Sequence, residues 1–431
     1  MERFAIASLL KWKKSKTRKP LIIQGARQVG KTWLMKEFGR REYEQVVYIN
    51  FESSDSLKSI FKEDFEISRL ITAFQIETGI KIRPDNTLII LDEIQEAERG
   101  ITSLKYFCEN APQYHIIAAG SLHGITMHRK TSFPVGKVDF MTLNPMSFNE
   151  FLLALGQEQL YELLKSNDWP MITNFKSKLI GHLRHYYFIG GMPEVVSSFI
   201  SENDFDRVRT IQKNILSAYD HDFSKHAPAE IVPRIKMLWQ SIPSQLSKEN
   251  KKFIYGVVKQ GGRAKEFELA LAWMTDCGLV YKIQRISKAA VPLIAYQDTS
   301  AFKLFILDVG LLSAMGGLTK QTILMGNSIF SEFKGALAEQ FVLQHLKTRQ
   351  DIQVFYWSSD TSRGELDFVI QNNDRVIPIE VKAEENLKAK SLKSFFEKFH
   401  PTTSVRTSMS DYRKEGWLVN VPLYAIDSFS F

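Results

Sequence analysis

Gly25-Ala26-Arg27-Gln28-Val29-Gly30-Lys31-Thr32 fits the spacing G-x-x-x-x-G-K-[ST] at every fixed position. The apolar run Pro20-Leu21-Ile22-Ile23 before it reads as a buried strand, and Trp33-Leu34-Met35-Lys36-Glu37-Phe38 after it reads as a helix. Strand, glycine loop and helix are the context that this spacing needs to signify a phosphate cradle. Gly25 and Gly30 let the backbone turn so that consecutive N–H groups face phosphate oxygens. The helix opening near Lys31 adds its positive end at the same place. The spacing assigns Lys31 to the β- and γ-phosphates of a nucleotide and the Thr32 hydroxyl to Mg²⁺. Residues 25 to 32, with Trp33 at the helix start, form the expected nucleotide-binding set.

Outward from this loop the chain repeats strand and helix. Gln45-Val46-Val47-Tyr48-Ile49-Asn50-Phe51 is rich in β-branched and aromatic residues and reads as a strand. Thr87-Leu88-Ile89-Ile90-Leu91-Asp92-Glu93 reads as a strand buried on both faces, as parallel sheets require. Its acidic pair emerges at the C-terminal end, where open α/β sheets bind ligands. This is a Walker B pattern: Asp92 is expected to hold Mg²⁺ and Glu93 to orient and polarise the attacking water. Tyr114 to Ser121 gives another strand. Ser121 is placed either as a γ-phosphate sensor or as a helix N-cap. Val138 to Leu143 is the last strand of a doubly wound parallel sheet expected within residues 1–150.

The chain has 431 residues, which implies two or three domains. Its apolar and charged fractions are those of an ordinary globular protein, and no apolar run is long enough for a membrane span. Cys108 and Cys277 are the only cysteines, which excludes a disulfide framework and a cysteine-based metal site. No secretory leader is evident, so a cytoplasmic location is expected. The net charge is +8, with the basic excess lying before residue 330. That balance permits nucleic-acid binding without requiring it. The densest basic run, Lys11 to Lys19, reads as a solvated segment.

Four stretches taken together, Gly-Ala-Arg-Gln-Val-Gly-Lys-Thr, Leu-Asp-Glu-Ile-Gln, Ala-Gly-Ser and Leu-Asn-Pro-Met-Ser-Phe-Asn-Glu-Phe, resemble a widespread prokaryotic family of AAA-like ATPases. The resemblance implies ATP and Mg²⁺ as ligands. It also implies a C-terminal domain of unknown function related to restriction-type nucleases. Family members often carry Pro-x-Gly-Arg before the last strand; here Lys137 stands in the arginine position, and Arg129 is the other candidate for a γ-phosphate contact. Residues 151–330 read as a helical linker or lid. Within it, Gly190-Gly191-Met192-Pro193 marks a tight turn. Asp220, His221, Asp222 and His226 lack a tight metal-ligand pattern and read as a polar helix surface. Residues 235–286 read as a winged-helix-like segment, with Lys251, Lys252, Lys259, Arg263 and Lys265 placed for phosphate contacts.

Residues 331–431 supply the third expected domain. Glu339 lies inside a helix, Asp367 on a strand, and Glu380 and Lys382 alternate on the next strand, facing one way. This set resembles the PD-(D/E)XK nuclease core, an α/β restriction-endonuclease-like fold. The resemblance implies that Asp367 and Glu380 hold a divalent cation, that Lys382 positions a water or stabilises developing charge, and that Glu339 assists. Two outputs are therefore expected for an Mg²⁺-dependent ATPase. One is a nuclease-like domain acting on DNA or RNA. The other is an ATP-controlled switch whose C-terminal domain binds nucleic acid, a protein partner or a second copy without catalysis. A membrane partner is not expected.

Overall fold

A computed structural model describes residues 1–120, 133–248, 251–325, 331–349, 351–359, 364–385 and 389–431. Ser121 and Arg129, two of the residues singled out above, lie outside the described residues. The chain divides into two compact units. One comprises Arg3–Asn144 with Asp276–Gly278; the other comprises Pro145–Thr275 and Leu279–Phe431 with the first two residues. No helix among the described residues is long and apolar enough to cross a membrane.

In the N-terminal unit the strands are β1 (Leu21–Gln24), β2 (Gln45–Asn50), β3 (Thr87–Asp92), β4 (His115–Ala119) and β5 (Asp139–Thr142). They form one sheet in the order β2-β3-β4-β1-β5, and every pairing is parallel. Helices α1 (Ala5–Lys14), α2 (Lys31–Glu42), α3 (Asp55–Lys58), α4 (Ile67–Thr78) and α5 (Gly100–Asn110) complete the unit. The apolar runs that specify β3 and β4 are buried along their whole length. Residues from α4 and α5, including Leu70, Phe74, Leu104 and Phe107, close over β2 and β3 to make the core on that side. Because β4 is inserted between β1 and β3, the loop after β1 and the acidic end of β3 open on the same sheet edge, one strand apart.

The second unit begins with helices α6 (Phe148–Ala154), α7 (Glu158–Ser166), α8 (Trp169–Asn174), α9 (Lys176–Ile189), α10 (Pro193–Glu202) and α11 (Phe205–His226). Then come α12 (Val232–Leu246), α13 (Tyr255–Val258) and α14 (Ala264–Asp276). Strands β6 (Val280–Ile286) and β7 (Gln297–Ile306) follow, then α15 (Val309–Met315), α16 (Lys320–Met325) and α17 (Ser331–Lys347). The remaining elements are β8 (Gln353–Ser358), β9 (Glu365–Asn372), β10 (Arg375–Val381), α18 (Lys390–Phe399), β11 (Ser404–Ser408), β12 (Arg413–Glu415) and β13 (Leu418–Pro422).

Residues on both sides of position 330 lie in this one compact unit. Strand β6, which lies in the segment 235–286 read as winged-helix-like, forms with β7 the edge of an eight-stranded mixed sheet, β12-β13-β11-β10-β9-β8-β6-β7. The joint is parallel pairing of β6 with β8, through Arg285↔Tyr356 and Ile286↔Trp357. Residues 280–306 therefore belong to the same sheet as the C-terminal strands. Leu392 and Phe395 of α18 cover one face of it, against Trp357, Leu366 and Val369.

The Gly-Gly turn gains its reason from this unit. Asp308 is fully buried, and its carboxylate accepts from Gly191 N (2.6 Å), Leu311 N (2.9 Å) and Gln344 Nε2 (3.2 Å). A Cβ on Gly190 would stand 2.2 Å from Asp308 Oδ1, and one on Gly191 would stand 2.1 Å from Met146 O. Gly190 also has φ +77°, which penalises any side chain. We expect Gly190→Ala to lower unfolding stability by about 1–3 kcal/mol, through overpacking and backbone strain. Gly181→Ala, within α9 and with open space around its Cβ, is expected to raise stability by up to about 1 kcal/mol. Urea denaturation midpoints of the two variants check the contrast.

Candidate nucleotide site and acidic cluster

The loop after β1 is built by short-range constraints. Gly25 has φ +152°, and a Cβ there would meet Leu143 O at 2.4 Å, so the backbone of the segment after β5 passes directly over it. Gly30 (φ +92°) takes a left-handed conformation at the N-cap of α2, and Gln28 (φ +65°) does the same within the loop. Ala26 and Val29 are buried, while Arg27 is half-buried and Gln28 exposed, so the loop is anchored by its small apolar residues. Trp33 is partly exposed on the first turn of α2.

Lys31 folds back along its own loop and donates to Gly25 O (3.0 Å) and Ala26 O (2.9 Å). Burial lowers its pKa, and the Glu93 and Asp92 carboxylates partly offset that. Thr32 Oγ1 donates to Asp92 Oδ2 at 2.7 Å, joining the loop of β1 to the end of β3 across the intervening strand. Tyr48 on β2 donates to the same oxygen at 3.0 Å. Glu93 adopts a left-handed conformation (φ +49°) just past the strand, and its N–H caps Asp92 Oδ1 at 3.2 Å. Burial raises the Glu93 pKa, opposed by a 2.5 Å hydrogen bond from Gln95 Nε2 and by the Lys31 charge.

The hard-oxygen pair Thr32 Oγ1 and Asp92 Oδ2 fits the ligand preference of Mg²⁺, and the buried ammonium of Lys31 lies in the same loop as a phosphate counter-charge. The structure thus brings Lys31, Thr32, Asp92 and Glu93 together. Lys137 is instead engaged with Glu109 at 2.9 Å on the surface. Two contributors escaped the sequence reading. Tyr48 lies in a strand where aromatic residues are ordinary. Arg3, buried, donates to Val29 O (3.2 Å) and Asn144 O (2.7 Å), bracing the loop from a position 26 residues away in sequence.

A second cluster lies in the eight-stranded sheet. Antiparallel pairing of β9 with β10 includes Phe368↔Ile379, and the same register carried one residue further sets Asp367 against Glu380. Val381 N donates to Asp367 Oδ2 at 2.7 Å. Lys382 Nζ lies 2.8 Å from Glu380 Oε1. Glu339, buried on α17, faces the same cluster, because the Asp367 charge acts on it. All four residues singled out in the C-terminal sequence therefore meet.

Two buried lysines also meet them. Lys303 of β7 approaches Glu365, Asp367 and Glu339, and Lys251 pairs with Glu339. Burial would lower the Lys303 pKa, but the surrounding carboxylates outweigh it and hold the ammonium above its ordinary value. Glu339 and Glu380 are both pushed upward by burial. Lys251 was expected at a phosphate-contacting surface; its ion pair with Glu339 places it inside instead. The signal for Lys303 was a lone charge in the apolar run Phe302 to Leu307.

A parallel sheet with a phosphate loop, an aspartate on the adjoining threonine and a glutamate beside it defines the P-loop ATPase class. Residues 17–152 match the AAA domain family. Residues 180–322 and 334–426 match two domains of unknown function, DUF8612 and DUF4143. The N-terminal part of this protein is therefore an AAA-like P-loop ATPase domain, and the protein is an ATPase that also carries a DUF4143 domain. No curated protein matches the chain. Similar solved structures include a Walker-type ATPase of Pyrococcus abyssi at 14% identity, covering 73% of this chain and 95% of that one, with a TM-score of 0.45. Others are the Orc1 protein of Aeropyrum pernix in complex with DNA (11% identity, 73% and 90% covered, TM-score 0.27) and Cdc6p of Pyrobaculum aerophilum (11%, 73% and 92%, TM-score 0.25).

Lys31→Ala is expected to weaken ATP binding by about 100-fold or more, through loss of a charge-assisted phosphate contact from a desolvated site. Titration of a fluorescent ATP analogue into the folded variant measures this, and wild-type affinity would remove Lys31 from the site.

Proposed function

We propose that this protein is an Mg²⁺-dependent ATP-driven switch whose C-terminal unit is the output, engaging nucleic acid under control of the nucleotide state. The observation that carries the ATPase half is the 2.7 Å contact between Thr32 and Asp92, with Glu93 beside it in a left-handed turn. The loop amides from Gly25 to Thr32 bind the phosphates of ATP, and the Lys31 ammonium offsets their charge. Thr32 and Asp92 would hold Mg²⁺, which when bound neutralises the β- and γ-phosphate oxygens. Glu93 orients a water in line with the γ-phosphorus and accepts its proton. The new O–P bond forms as the bridging P–O bond breaks, releasing ADP and phosphate. Gln95 holds the Glu93 carboxylate in place through its hydrogen bond.

The output half rests on charge. Lys252, Lys259, Arg263 and Lys265 are exposed around the start of α14, a distribution suited to phosphate contacts. A protein partner is the competing output, and it is favoured if nucleic acid fails to bind.

Glu93→Gln is expected to leave ATP binding intact and reduce hydrolysis by about 10²–10⁴-fold, because it removes the general base. Since burial raises the Glu93 pKa, the ATPase rate of the wild type is expected to decline on the acid side at a pH above the ordinary glutamate value of about 4.3. Protonation removes the base as pH falls, and this limb disappears in Glu93→Gln. A wild-type turnover rate in that variant would assign the base elsewhere.

For the output, fluorescence anisotropy with labelled single- and double-stranded DNA and RNA, in ATP- and ADP-loaded states, is the measurement. Binding should weaken with salt. Replacing Lys259, Arg263 and Lys265 by alanine should reduce the log–log salt slope by about one per lost contact. Equal salt slopes in variant and wild type would exclude this face.

A further inference from the structure

The acidic residues of the eight-stranded sheet already face cations supplied by the chain. Lys303 Nζ lies 2.6 Å from Glu365 Oε1, 3.8 Å from Asp367 Oδ1 and 3.9 Å from Glu339 Oε2, and the Lys303 side chain is 0% exposed. The other Glu339 oxygen is paired with Lys251. Asp367 Oδ2 is occupied by the Val381 amide, and Glu380 Oε1 by Lys382. Arg406, 2% exposed on β11, adds its charge near Glu380. Glu339, Glu365, Asp367 and Glu380 are thus matched by Lys251, Lys303, Lys382 and Arg406.

A divalent cation at Asp367 and Glu380 needs several oxygens converging at about 2.1–2.6 Å. Among the described residues, no three His, Cys, Asp or Glu side chains come together as a group able to hold a metal ion. Glu339 Oε2 and Glu380 Oε2 are buried without hydrogen-bond partners, but each belongs to a carboxylate whose other oxygen holds a lysine. An ion recruited by Glu339 Oε2 would meet the Lys303 ammonium beside that oxygen. The residues present do not fit the metal that the nuclease resemblance implies.

We propose that Lys303 is a resident cation standing where a metal-dependent nuclease would hold its divalent ion, so that this acidic cluster is a charge-balanced structural core closed to metal. A lysine on β7 reaches that place only because β6 and β7 are joined to the sheet through β8. The inference holds whether or not the C-terminal unit binds nucleic acid, and it concerns residues remote in sequence from the ATP site.

The test is Mn²⁺ binding to the full chain without nucleotide, by water-proton relaxation and by thermal denaturation with and without Mn²⁺. Every protein also carries Asp92→Ala, so that the ATP site lacks the carboxylate paired with Thr32. With Lys303 intact, adding Asp367→Asn is expected to leave Mn²⁺ binding unchanged. Lys303→Met, similar in length and uncharged, is expected to bind Mn²⁺ about tenfold or more tightly than the lysine protein, because a buried positive charge is removed from the carboxylates. The same variant should show a thermal midpoint that rises with Mn²⁺, and both gains should vanish when Asp367→Asn is added. Mn²⁺ bound with Lys303 intact and lost on Asp367→Asn would overturn the proposal, as would a folded Lys303→Met that gains nothing. If Lys303→Met fails to fold with or without Mn²⁺, the comparison with Lys303 intact decides. No Asp367-dependent binding then supports the proposal, and such binding refutes it.

Discussion

The buried carboxylate of Asp308 is the point on which the C-terminal unit depends. A charge with no exposure is tolerable only when fixed donors surround it. Those donors come from separate parts of the chain: the turn after α9, the first turn of α15 and Gln344 of α17. Gln344 also donates to Tyr186 Oη and accepts from Val309 N, while Tyr186 donates to Met146 O. One turn of α17 earlier, Gln340 bonds both backbone groups of Ile306. Helices and sheet edge are thus locked by directional bonds as well as by apolar packing. Such a network admits few alternatives, because every partial rearrangement leaves a buried polar group unpaired.

The N-terminal unit uses a different constraint. Its sheet places β4 between the strands that carry the two nucleotide motifs, and the side chains of Thr32 and Asp92 close the gap. Tyr48 reaches the same carboxylate from β2, so Asp92 is held from two sides. Arg3 stiffens the loop through carbonyls of Val29 and Asn144. These supports fix Lys31, Thr32, Asp92 and Glu93 at the C-terminal ends of the parallel strands, outside the apolar core.

The acidic cluster of the second unit shows how a familiar pattern acquires another character from its surroundings. Asp367, Glu380 and Lys382 meet with Glu339, as a nuclease-like arrangement would have them. Lys303 and Lys251 then alter the electrostatics, converting a set of unpaired acids into matched ion pairs. Buried pairs of this kind contribute little net stability, yet removing one partner is costly. That asymmetry favours keeping the whole set once it is present.

The nucleotide site was legible in the sequence because its parts are local. The loop from Gly25 to Thr32 lies between a four-residue strand and the helix that begins at Lys31, and the pair Asp92-Glu93 ends an unbroken apolar run. Glycine spacing, strand burial and charge at a strand end are properties of neighbouring residues, and the AAA domain match agrees with them. The Gly-Gly turn was visible, but not its reason, since the carboxylate it accommodates lies 117 residues away from Gly191. The joining of residues on both sides of position 330 in one sheet was hidden for a related cause: β6 and β8 are parallel neighbours separated in sequence by β7 and helices α15 to α17, and no local signal records that pairing. The same long-range pairing lets Lys303 meet Asp367 and Glu365. Short-range backbone and side-chain patterning thus determined the phosphate loop and its acidic partner, whereas strand order in the tertiary structure decided which charges the C-terminal carboxylates face.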